Sequence, residues 1–199
     1  MAGNPIRGDI ANGNRMTAAN TFDLDGHNKT LFVFGGSQGS EALNQCVAGM
    51  IGHFDTISVL WQTGKHNVEK YKQYESKTVR VLPFIDDMKS AYALSDLVFS
   101  RSGALTIAEL TACGLPSILV PFPSAAADHQ THNARSLADA GAAEMVPESE
   151  LDTEIMSGKI STLIHNENAL NEMAVKSKRL GKPDAAKVIV NKILEQVRA

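Results

Sequence analysis

Short apolar runs, each stopped by glycine, proline or a polar pair, recur along most of the chain. Thr30–Phe34, Ile57–Gln62, Val79–Leu82, Leu97–Ser100, Ser117–Val120 and Ala143–Val146 are rich in β-branched and aromatic residues and have strand length. Between them apolar positions return at helical spacing, which predicts helices over Ser40–Met50, Val68–Glu75, Met88–Leu94, Ala104–Cys113 and Gln130–Ala140. Strands that alternate with helices, and that are apolar on both faces, indicate a parallel sheet covered on both sides. Residues 1–28 are polar, rich in Gly and Asn and without sustained periodicity, so they read as a linker or irregular lead-in. After Pro147 the pattern is wholly helical. Asp152 reads as an N-cap, and Pro183 fits the first turn of the last helix, where Ala186, Ile189, Val190, Ile193, Leu194 and Val197 line one stripe. The expected architecture is one α/β domain over residues 29–199, a doubly wound parallel sheet with a C-terminal helical tail.

Composition narrows the function classes. The 199 residues, 43% of them hydrophobic, suffice for a sizeable core. A formal charge of −3 leaves no basic footprint for nucleic acid. The stretch from Glu172 to Arg198 is locally basic, with seven Lys/Arg against three Asp/Glu, and reads as a solvated helix face rather than an acidic-membrane contact. The two cysteines, Cys46 and Cys113, both fall inside predicted helices and suggest a reducing compartment. No run approaches the ~20 apolar residues of a membrane span, and the stretch "MAGNPIRGDI" has no apolar core like that of a signal peptide. The expected location is cytoplasmic.

In an open α/β sheet ligands sit beyond the carboxyl ends of the strands, so the residues after each strand carry the chemistry. After the first comes Gly35-Gly36-Ser37-Gln38-Gly39, which is neither a Walker A loop nor GxGxxG. Tight strand-to-helix packing explains such glycines as well as ligand contact does. After the third comes "PFIDDM", where a cap on the following helix is a simpler role for Asp86 or Asp87 than a metal site. After the fifth, Asp128, His129, Gln130 and Asn133 gather near a helix start; His129 and His132 share a spacing but lack a third ligand for zinc. The fourth strand leads into "SRSGALTIAEL". Ser102-Gly103 lets the chain turn, and Ala104, Leu105 and Thr106 open a helix whose free N–H groups favour an anion. Glu109 follows Gly103 by about 9 Å along the axis at ~1.5 Å per residue, a separation that suits a nucleoside diphosphate with its ribose on the carboxylate. The plain alternative is that Glu109 is an ordinary exposed helix residue. No Ser-His-Asp set or reactive-cysteine environment is recognisable.

Taken together and in order, "GNPIR", "GGSQGS", "FIDDM", "RSGALTIAEL", "GLPSILVPFP" and "DHQTHNA" resemble the C-terminal half of the MurG family. These are the bacterial UDP-N-acetylglucosamine–N-acetylmuramyl-(pentapeptide) pyrophosphoryl-undecaprenol N-acetylglucosamine transferases. The similarity runs from Gly3 to the last helix, with Ala2 where the family usually has Thr. The resemblance implies one half of a GT-B enzyme, a Rossmann-like domain that holds the donor UDP-GlcNAc. It implies that Arg7 and Ser37 contact the donor and that the Ile85 main chain pairs with the uracil edge. Ala104, Leu105 and Thr106 would bind the diphosphate, Glu109 the ribose and Gln130 the sugar, with Gly35, Gly36, Gly39, Ser102 and Gly103 as supporting loop. No cofactor and no metal are implied.

The family's N-terminal acceptor domain, with its proposed catalytic His and its surface for the lipid-linked acceptor, has no counterpart in these residues, so no catalytic base is assigned. The expected function is the donor half of an inverting transferase that converts lipid I to lipid II in peptidoglycan synthesis, peripheral on the cytoplasmic face of the inner membrane and inactive alone. The acceptor domain would join in cis or as a separate chain. The alternatives are a stand-alone UDP-sugar binding or regulatory module, the donor subunit of a two-chain glycosyltransferase, and a UDP-GlcNAc 2-epimerase-like isomerase.

Overall fold

The computed structural model describes residues 2–198. The strands are β1 (Lys29–Phe34), β2 (Ile57–Gln62), β3 (Val79–Leu82), β4 (Leu97–Ser100), β5 (Ser117–Leu119) and β6 (Ala143–Met145). They form one sheet in the order β3-β2-β1-β4-β5-β6, with every neighbouring pair parallel. The helices are α1 (Arg15–Phe22), α2 (Glu41–Met50), α3 (Val68–Tyr71), α4 (Met88–Leu94), α5 (Ala104–Cys113), α6 (His129–Asp139), α7 (Thr153–His165), α8 (Glu167–Leu180) and α9 (Ala185–Arg198).

Side-chain alternation along the strands explains the two layers. Leu31 and Val33 of β1 turn to one face with α2, α3 and α7, whereas Phe32 and Phe34 turn to the other with α1, α4, α5 and α6. Both faces of the central strands β1, β2 and β4 are buried, which is why they read as nearly continuous apolar runs. Asn44 on α2 bridges two elements inside this core. Its amide oxygen accepts from Trp61 Nε1 at 2.9 Å, and its Nδ2 donates to the Thr63 carbonyl at 2.9 Å. The loop after β2 is thereby pinned to the helix after β1.

The strand and helix assignments agree with the sequence to within a residue or two, with four instructive differences. The lead-in is not wholly irregular: α1 lies inside it, capped by Asn14, whose side chain accepts from the Thr17 N–H. The helix expected over Val68–Glu75 is α-helical only to Tyr71 and continues as a 3₁₀ turn over Lys72–Tyr74. Pro183 stands in the turn ahead of α9 rather than in its first turn. The α9 stripe is turned partly to solvent, with Val190, Ile193, Leu194 and Val197 exposed. Asp152 caps α7 as expected, accepting from the Ile155 N–H at 2.9 Å.

One side chain ties α1 to the amino edge of the sheet. Arg15 donates to the carbonyls of Gly26 (2.8 Å), Leu94 (2.7 Å) and Asn28 (2.7 Å) and to Asp96 Oδ2 (2.8 Å). Asp96 also accepts from the Thr30 N–H at 2.8 Å at the start of β1. Replacing Arg15 by Met strands several of these acceptors, and we expect it to lower the unfolding free energy in a urea titration by about 2–4 kcal/mol. Cys46 and Cys113 are free thiols, and burial pushes each up to about 11. At pH 8 their thiolate population is therefore roughly a hundredfold below that of an ordinary cysteine. Iodoacetamide should label both slowly in the native protein and promptly once denaturant has unfolded it.

Candidate functional site

The chain leaves β1 toward one face of the sheet, into α2, and leaves β4 toward the other, into α5. Since β1 and β4 are neighbours, a crevice opens between the two departing loops at their carboxyl ends. The Gly35–Gly39 loop forms one wall and Ser102–Thr106 the other.

Gly35 and Gly39 of the first wall are explained by packing, and Gly36 by its positive φ of +90°. Gly39 has φ +78°, and a Cβ there would lie 2.0 Å from the Thr63 carbonyl oxygen. Gly64 meets the Gln38 carbonyl in the same way from the opposite side, so the two loops lie back to back. Gln62, ending β2, braces the loop from below through Nε2 to the Gly36 carbonyl at 2.9 Å. Its Oε1 accepts from the Ile85 N–H at 2.7 Å, so of that residue's main-chain pair the N–H is already occupied. Ser37 is exposed at the tip.

The second wall is different. Gly103 is the N-cap of α5, with extended backbone (φ −60°, ψ 149°) and no side-chain cap. A Cβ there would meet nothing nearer than Thr106 Oγ1 at 3.7 Å. Neither backbone strain nor packing demands glycine at this position, yet it stands beside the uncapped N–H groups of the first turn. Ser102 beneath it is locked, its N–H donating to Gln130 Oε1 at 3.2 Å and its hydroxyl to the Gln130 carbonyl at 2.8 Å, while Asn133 Nδ2 donates to the Ser102 carbonyl at 3.0 Å. Gln130 Oε1 also accepts from the Phe122 N–H at 3.1 Å. The amide oxygen of Gln130 is thus structural, and its Nε2 is the end left for a ligand.

Glu109 is not the ordinary exposed helix residue that α5 alone would make it. It is 7% exposed, and its Oε2 accepts from Tyr92 Oη on α4 at 2.9 Å. Burial, then the adjacent Glu109 carboxylate, push the Tyr92 phenol well above its ordinary range, so it stays protonated and donates. Arg7 reaches over from the lead-in, with Nη1 on the Asp86 carbonyl at 3.2 Å and Nη2 at 4.0 Å from Glu109 Oε1. Asn4 Nδ2 donates to the Ala104 carbonyl at 3.0 Å, joining the lead-in to the start of α5. Asp87 caps α4 through the Ser90 N–H and hydroxyl. The Ser90 hydroxyl is the main cause that holds its carboxyl below the usual range.

Three side chains that build this edge went unread in the sequence: Gln62, Tyr92 and Arg101. Arg101 is 7% exposed and directly follows β4. It donates to the Val120 and Pro121 carbonyls at 3.3 and 3.0 Å and to Ser40 Oγ at 2.8 Å, and it pairs with Glu148. Its guanidinium also lies 5.4 Å from the Phe122 ring centroid. A polar residue closing an apolar strand run was the available signal for both Gln62 and Arg101. Arg101 floors a cleft of about 450 Å³ lined also by Gly35, Gly39, Ser40, Gln130 and Glu148. Arg7, Ile85 and Glu109 lie outside this cleft, so the candidate residues divide between the cleft and an open shelf along α5.

A model of the glycosyltransferase family 28 C-terminal domain matches residues 30–189. The UDP-N-acetylglucosamine–N-acetylmuramyl-(pentapeptide) pyrophosphoryl-undecaprenol N-acetylglucosamine transferase of Finegoldia magna is 37% identical over 99% of this chain and 55% of its own length. The enzyme of the same name from Cytophaga hutchinsonii is 41% identical over 97% and 53%. The chain thus spans about half the length of these curated relatives. Among solved structures, Acinetobacter baumannii MurG superposes with a TM-score of 0.79 at 32% identity, over 94% of this chain and 54% of that one. A UDP-GlcNAc 2-epimerase from Neisseria meningitidis, at 16% identity and a TM-score of 0.63 over 90% of this chain and 48% of that one, shares the fold alone. A Rossmann-like parallel sheet whose carboxyl edge carries these loops, matched over nearly its whole length, leads to one assignment: the chain belongs to glycosyltransferase family 28, as a C-terminal domain of the MurG type.

Proposed function

We propose that this domain binds the sugar-nucleotide donor UDP-GlcNAc for transfer of N-acetylglucosamine from UDP to a lipid-linked acceptor, the step that turns lipid I into lipid II. The observation that carries the reading is the uncapped start of α5 beside an unfilled Gly103, with the fixed Glu109 carboxylate further along the same helix. The diphosphate would sit on the N–H groups of Ala104, Leu105 and Thr106, where the helix dipole favours negative charge. Glu109 would accept from the ribose hydroxyls, Arg7 would contact the donor beside it, and the Ile85 carbonyl would pair with uracil. The hexosamine would turn toward the cleft above Arg101, within reach of Gln130 Nε2 and the Ser37 tip.

In the transfer the acceptor hydroxyl oxygen bonds to the anomeric carbon while the bond from that carbon to the diphosphate breaks, its electron pair leaving with UDP. The α5 dipole stabilises this leaving charge. The proton of the acceptor hydroxyl passes to a base outside this domain. That base and the acceptor surface would belong to an N-terminal half, in cis or as a partner, working at the cytoplasmic face of the membrane. Among the described residues no helix is long and apolar enough to cross a membrane.

Calorimetry tests the reading directly: the chain should bind UDP and UDP-GlcNAc and, alone, transfer no sugar, whereas no UDP binding at millimolar ligand overturns it. Gly103→Ala should weaken UDP by roughly 1–3 kcal/mol by filling the phosphate's space. The same change should leave the unfolding free energy within about 1 kcal/mol, because the backbone there accepts alanine. Equal UDP affinity in the two proteins would place the diphosphate elsewhere. Glu109→Ala should cost roughly 1.5–3 kcal/mol of UDP affinity. It should also lower stability by about 1–3 kcal/mol, since the buried Tyr92 hydroxyl loses its acceptor.

A further inference from the structure

We infer that Tyr92 is a positioning residue that aims the Glu109 carboxylate at a vicinal diol and so sets a preference for ribo- over deoxyribonucleotide donors. The inference rests on the proposed ribose contact of Glu109 and extends it to a residue that touches no ligand.

Tyr92 is 3% exposed on α4, and its ring cannot swing. Phe32 and Phe34 of β1, stacked on each other at 4.7 Å, meet it edge-on at 5.9 and 6.4 Å with interplanar angles of 66° and 62°. The central strand of the sheet therefore fixes where the phenol oxygen lies. That oxygen donates to Glu109 Oε2 on the neighbouring helix. One carboxylate oxygen is thus engaged on the inner side, and the other, Oε1, is left for an outside donor.

The competing outside donor is Arg7, whose Nη2 stands 4.0 Å from Oε1, beyond hydrogen-bond distance. A carboxylate free to rotate would close on this guanidinium and present both oxygens to it, the preferred geometry of an Arg–carboxylate pair. The Tyr92 hydroxyl opposes that closure by holding Oε2 back. Oε1 then keeps the lone pairs that a 2′,3′-diol donates to, and it presents an acceptor that a dideoxyribose leaves unpaired. Discrimination of this kind, a fixed polar group left unpaired by the wrong ligand, is stronger than discrimination by shape.

The test compares UDP with 2′,3′-dideoxyuridine diphosphate by calorimetry on the same 199-residue chain. Wild type should prefer UDP by about 10- to 100-fold, the ratio expected of a hydrogen bond to a charged group. Tyr92→Phe should narrow that ratio by about 5- to 10-fold, through weaker UDP binding with the dideoxy ligand nearly unchanged. Glu109→Ala should abolish it. Tyr92→Phe with the full preference intact, while Glu109→Ala loses it, overturns the role of Tyr92 and leaves the ribose contact standing. Glu109→Ala with the preference intact overturns the ribose contact itself. Should the Phe variant not fold, 3-fluorotyrosine at position 92 keeps ring and hydroxyl. Its ¹⁹F resonance should move on addition of UDP and stay in place with the dideoxy analogue, and a resonance that treats the two alike overturns the assignment.

Discussion

The departure of the chain from β1 and β4 to opposite faces of the sheet governs the rest of the molecule. Two adjacent strands whose continuations separate must leave a crevice, and the crevice exposes backbone groups that cannot pair with each other. The protein meets that demand with buried polar side chains rooted in or next to the strands. Gln62 ends β2 and holds the first loop and the Ile85 amide. Arg101 follows β4 and holds Ser40, the exit of β5 and Glu148. Each satisfies several groups at once, so the edge is rigid although it is built from loops.

Rigidity is unevenly distributed around that edge. The Gly35–Gly39 wall is interlocked with the Thr63–Gly64 loop through Gly39, and its glycines serve packing or a positive φ. At Gly103 a side chain would touch almost nothing. A glycine that the fold does not require is better evidence for a ligand than one that it does, and this reverses the weight that a glycine count alone would assign. The cleft above Arg101 and the open shelf along α5 then suit different parts of one elongated molecule.

Much of this was legible in the residues. The central strands stood out because a sheet buried on both faces demands nearly continuous apolar runs there, and α2, α4 and α5 followed from their spacing and caps. The α1 helix did not, because it buries only Ala18, Ala19 and Phe22 and depends on Arg15, whose partners lie up to 81 positions away. Residue spacing located Glu109 on α5 but was silent on its burial, since the covering Tyr92 arrives on another helix. Gln62 and Arg101 were overlooked for a related reason: a polar residue at a strand end reads as a solvent boundary until the loops above it are known. Motif order carried the family, whereas the geometry that assigns individual atoms came only with the tertiary contacts.

The strand order also sets a timetable for the nascent chain. Of the six strands of this sheet β1 is synthesised first, yet it sits in the middle with β2 on one side and β4 on the other. β2 and β3 can add to it at once, while its second edge waits for Leu97–Ser100 and the crevice floor waits for Glu148. At ribosomal speeds that delay is on the order of ten seconds. Until those later residues emerge Phe32 and Phe34 lack α5 and α6 above them, and until Leu97–Ser100 arrives an apolar strand offers a free edge to any other chain. For this fold the vulnerable moment is its own translation, and the risk is aggregation through β1.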